Sequence, residues 1–369
     1  MTTEELHAKY GEEQVLAADA ALFKDFPRWT DYSKFKDVES KAQKVPRYLA
    51  ETDESKRQIV AYIIVRDAYN RYFVTRRIGG DERLVGKLAC IGGHMDGADE
   101  SLSVTALREA DEELYISTLT SMYPIITKKG WIVCNDTPVD RVHVGCVFEL
   151  QVLGDDIGVK ETDKLEGVWM TRDELLASKD KCETWLSILL DESIIDGKRT
   201  ANQLAYHTLM TYIRKNADYG NAFFTSYKRF GQQSAFVRMF DKVLRYKNLV
   251  GKQAQVKDEA VADTLEDLAD YAVMTAALQI NVDKNDPKLK KLSPLEKHSA
   301  LTTTMLYSLA INGIGDTAPF HDADALSHEF DEIVKIGAGN RQGRYQRLIR
   351  FAQAVMATVI HMGEEDAHE

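Results

Sequence analysis

The sequence predicts an α/β/α sandwich followed by an all-α helical bundle, on three observations. Up to about residue 197, apolar runs and strand-like alternation flank one helix-forming stretch and end in helices. Beyond it the alternation stops, and segments of helical period separated by Gly and Pro take over. At 369 residues the chain is also long for one core, which points to two or three domains.

In chain order, residues 4–21 read as a helix, and residues 23–29 as a turn-rich arm without a catalytic pattern. Residues 1–45 are therefore assigned as an N-terminal helix and arm packing on the first domain, residues 46–197. There, 57–66 reads as a buried strand, and 71–77, after an Asp-Ala-Tyr-Asn turn, as its hairpin partner. A glycine pair, Gly92-Gly93, opens a loop into a helix over 101–115. Residues 123–128, 131–135 and 141–152 follow as strands, with a further strand at 166–170 and helices at 172–178 and 183–191. On 141–152, Val142, Val144, Cys146, Phe148 and Leu150 share one face, and His143, Gly145, Val147 and Glu149 the other. A small Gly145 between His143 and Glu149 leaves room there for a ligand, and either side chain is a candidate base for activating water. An ordinary exposed strand face is the alternative. The pattern breaks at 194–201. Helices are expected at 202–217, 233–248 and 258–280 in a domain spanning 198–288, and at 294–312, 323–336 and 344–362 in C-terminal helices over 289–369 that extend the bundle.

The composition, 44% hydrophobic and 28% charged, is that of a globular chain. A net charge of −11 argues against broad nucleic-acid or anionic-membrane binding. Cys90, Cys134, Cys146 and Cys182 form no C-x-x-C pair, which fits a reducing compartment and no zinc site. With a charged start and no membrane-length apolar run, the expectation is a cytoplasmic protein, the host cytoplasm if it is phage-encoded.

The chemistry concentrates at Glu100-x7-Arg108-Glu109-x-x-Glu112-Glu113. At ~100° per residue the three carboxylates Glu109, Glu112 and Glu113 share one arc of a helix. Like charges so spaced repel, and a hard divalent cation among them resolves the conflict. Arg108 is placed to clamp Glu100 or a ligating carboxylate. Leu102, Ala106, Leu107, Ala110 and Leu114 form the packing side. A solvated acidic face is the bland alternative.

This stretch resembles the Nudix box, Gly-x5-Glu-x7-Arg-Glu-U-x-Glu-Glu-x-Gly-U, with U a bulky aliphatic residue. It departs in three places: Gly93 to Glu100 is one residue longer, Ala110 is small, and Tyr115 stands where glycine ends the helix, so the exit needs another geometry. Residues 45–53, Gly86-Lys-Leu with Gly92-Gly93-His94, Arg141-Val-His-Val and Glu183-Thr-Trp look like one Nudix subfamily, so the resemblance covers about 20–195. It implies a Nudix α/β/α sandwich with a mixed sheet and a hydrolase of nucleoside diphosphate derivatives. On this reading Arg108, Glu109, Glu112, Glu113 and Glu149 are catalytic. Glu109, Glu112 and Glu113 hold Mg²⁺, with Mn²⁺ as a substitute, and Arg76, Arg77, Gly93, His94 and His143 meet a nucleotide substrate. For Arg76 and Arg77, plain surface arginines are the alternative.

A second constellation lies on the helix at 258–280, where Glu259, Asp263, Glu266 and Asp270 form one stripe and the continuation is apolar nearly all round. Asp218-Tyr-Gly, Arg238-x2-Asp241-Lys242-x2-Arg245 and Asp258-Glu-x3-Asp-Thr-x2-Asp-Leu-Ala-x-Tyr271 resemble a nucleotide-modification-associated domain related to all-α NTP pyrophosphatases of the MazG and dUTPase-like group, in a phage-type arrangement. The resemblance makes Glu259, Asp263, Asp267 and Asp270 candidate metal ligands, although the group's Glu-x-x-Glu on the neighbouring helix is missing. It also implies a homodimer through the helical domain. Arg341, Arg344, Arg347 and Arg350 read as a solvated basic face, with contact to phosphates or a neighbouring subunit as the alternative. The function expected is Mg²⁺-dependent cleavage of a nucleotide phosphoanhydride, with two domains serving control of a nucleotide pool. A nucleotide sensor with a non-hydrolysing Nudix fold is the rival from another class. A diphosphate isomerase is a third, suggested by Cys90, for which a buried structural role is the simpler assignment.

Overall fold

The computed structural model describes residues 2–79, 85–96, 98–116, 125–152, 156–198, 200–250, 261–280 and 291–365. The chain divides into two compact units, Met1–Gly197 and Lys198–Glu369. Among the described residues no helix is long and apolar enough to cross a membrane.

The first unit runs α1 (Thr3–Tyr10), β1 (Gln14–Asp19), β2 (Trp29–Asp31), α2 (Val38–Lys41), β3 (Gln43–Pro46), α3 (Arg47–Ala50), β4 (Lys56–Arg66), β5 (Tyr72–Arg77), β6 (Leu88–Ala89), β7 (Ile91–His94), α4 (Leu102–Glu113), β8 (Leu114–Ile116), β9 (Ile125–Ile132), α5 (Pro138–Arg141), β10 (His143–Gln151), β11 (Ile157–Val159), β12 (Leu165–Met170), α6 (Arg172–Ala177) and α7 (Thr184–Asp191). The main sheet has the order β12-β5-β4-β10-β9-β2. It is mixed: β10 runs parallel to β4, while β9, β5, β7 and β12 pair antiparallel. Ile59, Ala61, Ile63, Val144, Cys146 and Phe148 pack one sheet face against Leu102, Ala106 and Ala110 of α4. Tyr62, Ile64 and Val147 pack the other face against Leu175 of α6 and Leu186 and Leu189 of α7. The expected sandwich is therefore present, its two cores separated by the alternation of β4 and β10.

The N-terminal segment differs from the expected helix over 4–21. The Thr2–Glu5 capping box starts α1, and Gly11, at φ 55°, stops it. The chain then extends as β1, which pairs with both β3 and β4 and buries Val15, Ala17 and Ala18. The strands expected at 123–128 and 131–135 are one strand in the described part, β9, whose ladder to β10 shifts register between Val147 and Phe148.

Gly92 lies opposite Tyr62 where β7 pairs antiparallel with β4, and a Cβ there would overlap the Ala61 carbonyl and stand 3.2 Å from Tyr62 Cα. Because the obstacle is backbone, Gly92→Ala is expected to destabilise the protein by about 2 kcal/mol. That lowers the first unit's melting temperature by roughly 4–8 °C. Thermal melting checks this, and an unchanged midpoint would contradict the packing described.

The second unit comprises α8 (Ala201–Asp218), α9 (Ala222–Phe230), α10 (Gln232–Leu249), α11 (Val261–Ala277), α12 (Pro294–Asn312), α13 (Ala323–Lys335) and α14 (Arg341–Glu365). Helix α9 was not expected. It fits between Asn221, at φ 59°, and Gly231, at φ 70°, two positions in the left-handed region that turn the chain at either end. Helix α11 packs along α14 and against α10, and buries Leu265, Leu268, Ala272, Val273 and Ala276. The expected basic face of α14 is largely a structural network. Arg341 donates to the Leu278 and Gln279 carbonyls beyond α11, and Arg344 is buried with bonds to Gln232 and Gln279. Arg347 is bidentate to Glu329.

Candidate functional site

Helix α4 presents the box residues because its cap and its apolar stripe fix its rotation. Ser101 accepts from the Val104 N–H at the start, and Leu102, Ala106 and Ala110 are buried. Leu107, expected on the packed side, is 47% exposed. At ~100° per residue it lies ~140° from Leu102, outside a stripe about 100° wide. The same arithmetic turns Glu109 and Glu113 toward the sheet edge and leaves Glu112 outside. Glu109 is accordingly buried and Glu112 exposed. The helix ends without a glycine because Leu114 is already extended (φ −112°, ψ 138°). The chain passes directly into β8, which pairs with β11, and Tyr115 points outward.

Arg108 organises the carboxylates. Its Nη1 donates to Glu109 Oε1 at 2.9 Å and Glu112 Oε2 at 3.1 Å, and its Nη2 to the His94 carbonyl at 2.9 Å. Its Nε and Nη2 grip Asp99 at 3.2 and 2.9 Å. The residue clamped in the loop is thus Asp99, not Glu100, which is exposed. Burial pushes the Asp99 carboxyl up, but its bonds from Arg108 and Thr105 outweigh that and keep it ionised. Gly93 is also part of this construction: a Cβ there would overlap the Glu109 carboxylate.

Burial raises the Glu109 carboxyl despite Arg108 beside it. Glu113 is pushed up to about 7, by burial first and then by Glu109 and Glu161, with the Gly92 N–H opposing. By donor type these carboxylates suit a hard divalent cation, while among the described residues the group whose ligand atoms lie within 4.8 Å of one another is Glu51, His94 and His143. The raised Glu113 favours its protonated form in the metal-free fold. The stability it contributes is present below the unfolded value of 4.5 and is lost as pH rises through about 7. Cation binding offsets that loss, so stabilisation by Mg²⁺ or Mn²⁺ is expected to grow with pH up to about 7 and then level off. Glu113→Gln should flatten the dependence. Melting curves with and without cation across that range check it, and a pH-independent shift in the wild-type protein would contradict it.

Beside the box lie two histidines in contact. His94 Nε2 and His143 Nε2 are 3.0 Å apart, and His143 Nδ1 donates to the Val139 carbonyl at 2.8 Å. That bond leaves His143 Nε2 as acceptor and His94 Nε2–H as donor. Burial lowers both rings, with Arg47 adding to the effect, so the pair is neutral. Glu51, His94 and His143 each bring one ligand atom to within 4.8 Å of the others, a grouping able to hold a metal ion.

A cavity of about 840 Å³ opens next to the box, lined by Tyr62, Arg77, Gly92, Glu113, His143, Glu183 and Trp185 among others. A smaller cleft of about 440 Å³ holds Arg47, Gly93, His94, Arg108, Glu109 and Glu112, and Val60 and Gly92 border both spaces. The room expected above Gly145 is filled: the Trp185 ring stands 2.8 Å from where a Cβ would be. Trp185 in turn meets Tyr62 edge-on, with centroids 5.3 Å apart. Of the two bases read from β10, His143 borders the cavity. Glu149 does not: it lies six residues, roughly 20 Å, along the strand, paired with Arg66 and Lys129. Arg77 lines the cavity, whereas Arg76 pairs across the sheet with Glu166 at 2.7 Å. Cys90 also lines it, with a thiol that burial pushes up to about 12, so it offers no thiolate.

Sequence reasoning missed Asp99, although it sits beside the Glu100 the pattern singled out. It also gives no site role to Arg47 and Glu183, which lie in stretches matched to the subfamily but reach the site only through tertiary packing.

In the second unit, Glu259 lies outside the described residues. Asp263 is exposed, Asp267 is held by Lys215 and Lys242, and Asp270 is buried. The structure therefore does not collect these carboxylates into one open set.

Comparison with known proteins matches residues 56–186 to the NUDIX domain and residues 215–279 to nucleotide modification associated domain 1. No curated protein matches the chain. Among solved structures, the Nudix-hydrolase candidate Tm1382 is 24% identical with a TM-score of 0.41, over 48% of this chain and 99% of its own. DR0079 from Deinococcus radiodurans is 17% identical with a TM-score of 0.33, over 49% and 98%. A NUDIX-family hydrolase from Clostridium perfringens is 15% identical with a TM-score of 0.28, over 38% and 97%. The first unit carries a NUDIX domain, of the class that hydrolyses phosphoanhydride bonds.

Proposed function

We propose, with a NUDIX domain at residues 56–186 as the premise, that the chain is a Mg²⁺-dependent nucleotide pyrophosphohydrolase cleaving a phosphoanhydride in a nucleoside di- or triphosphate or a nucleoside diphosphate derivative. The observation that carries this reading is the box helix, on which Arg108 holds Glu109 and Glu112 in one cleft while Glu113 lines an adjoining cavity large enough for a nucleotide. Glu109, Glu112 and Glu113 would hold Mg²⁺, which would supply charge compensation on the diphosphate and polarise an attacking water. Arg108, itself fixed by Asp99 and the His94 carbonyl, keeps Glu109 and Glu112 oriented. Tyr62 and Trp185 offer the base an aromatic wall, Arg77 offers the phosphates a cation, and His143, its Nε2 engaged by His94, borders the cavity as a positioning residue. Mn²⁺ serves in place of Mg²⁺.

The wider reading is a bifunctional enzyme of modified-nucleotide pools, phage-type in its domain pairing, and a homodimer through the helical unit. Phe230, Val237 and Leu244, at 66%, 49% and 42% exposure on α9 and α10, support an apolar self-association face. The reading is tested with the full chain, Mg²⁺ or Mn²⁺, and a panel of NTPs, dNTPs, ADP-ribose and dinucleotides, with products identified by mass spectrometry. Turnover of at least one to a nucleoside monophosphate is expected. If none is cleaved, the proposal fails.

A further inference from the structure

The two histidines in contact sit where the larger cavity and the smaller cleft adjoin, His143 on the wall of the first and His94 on that of the second. The sheet sets how their rings meet. His94 ends β7 and His143 begins β10, and these strands flank β4 on its two edges, with His94 opposite Val60 and His143 opposite Gln58. Glu51 joins them from the end of α3, which follows directly on β3.

Two neutral imidazoles facing one another are held either by a shared proton or by a shared cation. Three observations favour the cation. His143 Nδ1 is committed to the Val139 carbonyl, the arrangement that fixes a ligating imidazole by holding its proton on one nitrogen and aiming the lone pair from the other. The two Nε2 atoms are 3.0 Å apart, and nitrogens bound at ~2.1 Å to one ion lie ~3.0–3.4 Å apart. A carboxylate oxygen of Glu51 lies within 4.8 Å of both, which a pair of hydrogen-bonded neutral rings does not need. Arg47 does not consume that carboxylate: its 2.7 Å bond goes to Glu13, and its contact with Glu51 is a long 3.4 Å. Glu51 is partly exposed at the end of a short helix, so its side chain is free to close the remaining gap.

We propose that Glu51, His94 and His143 bind one borderline first-row divalent cation, with Zn²⁺ the type ion, at a site separate from the carboxylates of the box. Imidazole donors select such ions, whereas the oxygen donors of Glu109, Glu112 and Glu113 suit Mg²⁺. Two histidines and one carboxylate leave a coordination position for a further ligand, and the smaller cleft gives the ion its way in. On binding, His94 carries its proton at Nδ1 so that both Nε2 lone pairs turn to the metal. The site stands whether or not the first unit cleaves a phosphoanhydride.

The test is calorimetric titration of the full chain, stripped of metal, with Zn²⁺ in the presence of excess Mg²⁺. One Zn²⁺ is expected to bind, and to bind equally in the Glu112→Gln/Glu113→Gln variant. Glu51→Ala and His143→Asn should each weaken it by about 10²-fold or more, with melting curves confirming that the variants fold. Nitrogen NMR of the wild-type chain supplies a readout that needs no substitution: Zn²⁺ should move the Nε2 signals of His94 and His143 and leave the His143 proton at Nδ1. Three results would overturn the proposal: no Zn²⁺ binding above excess Mg²⁺, binding lost in the box variant, or binding that leaves both Nε2 signals in place.

Discussion

Replacing Glu112 and Glu113 together with glutamine is expected to lower turnover of the best substrate by about 10³-fold while leaving the fold intact. The magnitude follows from the role assigned. A cation on a transferring phosphoryl group supplies several kcal/mol of charge stabilisation, and about 4 kcal/mol corresponds to 10³ in rate. Glutamine keeps the size and one acceptor oxygen but removes the charge that holds the cation. The fold should tolerate the change, because Glu112 is exposed and Glu113 is raised to about 7 mainly by burial, so neutralising it relieves a conflict. Steady-state kinetics beside thermal melting separates the two effects. Activity within tenfold of wild type would remove the box from the chemistry, and a collapsed melting temperature would make the loss uninformative about it.

Gly93→Ala is expected to cost about 10²-fold in activity with a much smaller effect on stability than Gly92→Ala. The two adjacent glycines face different obstacles. At Gly92 the added Cβ meets the Ala61 backbone, which cannot yield without disturbing the β4–β7 ladder. At Gly93 the nearest atoms it meets are the carboxylate end of the Glu109 side chain. That carboxylate can swing away, but doing so leaves its bond from Arg108 and its place in the proposed ligand set. A displacement of about 1 Å at a catalytic group is worth on the order of 10² in rate. Comparing melting temperature and kcat for the two alanine variants reads the difference. Equal destabilisation, or full activity in Gly93→Ala, would contradict the geometry described.

Local signals carried much of the fold. The apolar run 57–66 and the alternation of 141–152 mark the two central strands, and the spacing of Leu102, Ala106 and Ala110 marks the helix beneath the box. The carboxylate cluster was legible because its chemistry is confined to five residues of one helix. Other features were hidden for identifiable reasons. Residues 4–21 contain enough helix formers to suggest continuity, and only the tertiary pairing of β1 with β3 and β4 makes 14–19 a strand. Gly145 was read as open space because nothing local announces that Trp185, forty residues later, fills it. Glu149 shares a strand face with His143, yet distance along β10 separates it from the box, and Arg66 from β4 engages it. Arg108 is expected to hold Glu100 or a box carboxylate, and it does hold Glu109 and Glu112. A one-residue difference in loop path gives it Asp99 in place of Glu100, which spacing alone does not resolve.

The most direct measurement is hydrolysis of the best phosphoanhydride substrate in ¹⁸O-labelled water with Mg²⁺, by the wild-type chain and by the Glu112→Gln/Glu113→Gln variant, with products read by mass spectrometry. The structure predicts one labelled oxygen on a phosphate product from the wild-type chain and almost none from the variant. Label appearing equally in both, or no phosphoanhydride cleavage by the wild-type chain, would contradict the assignment of this site.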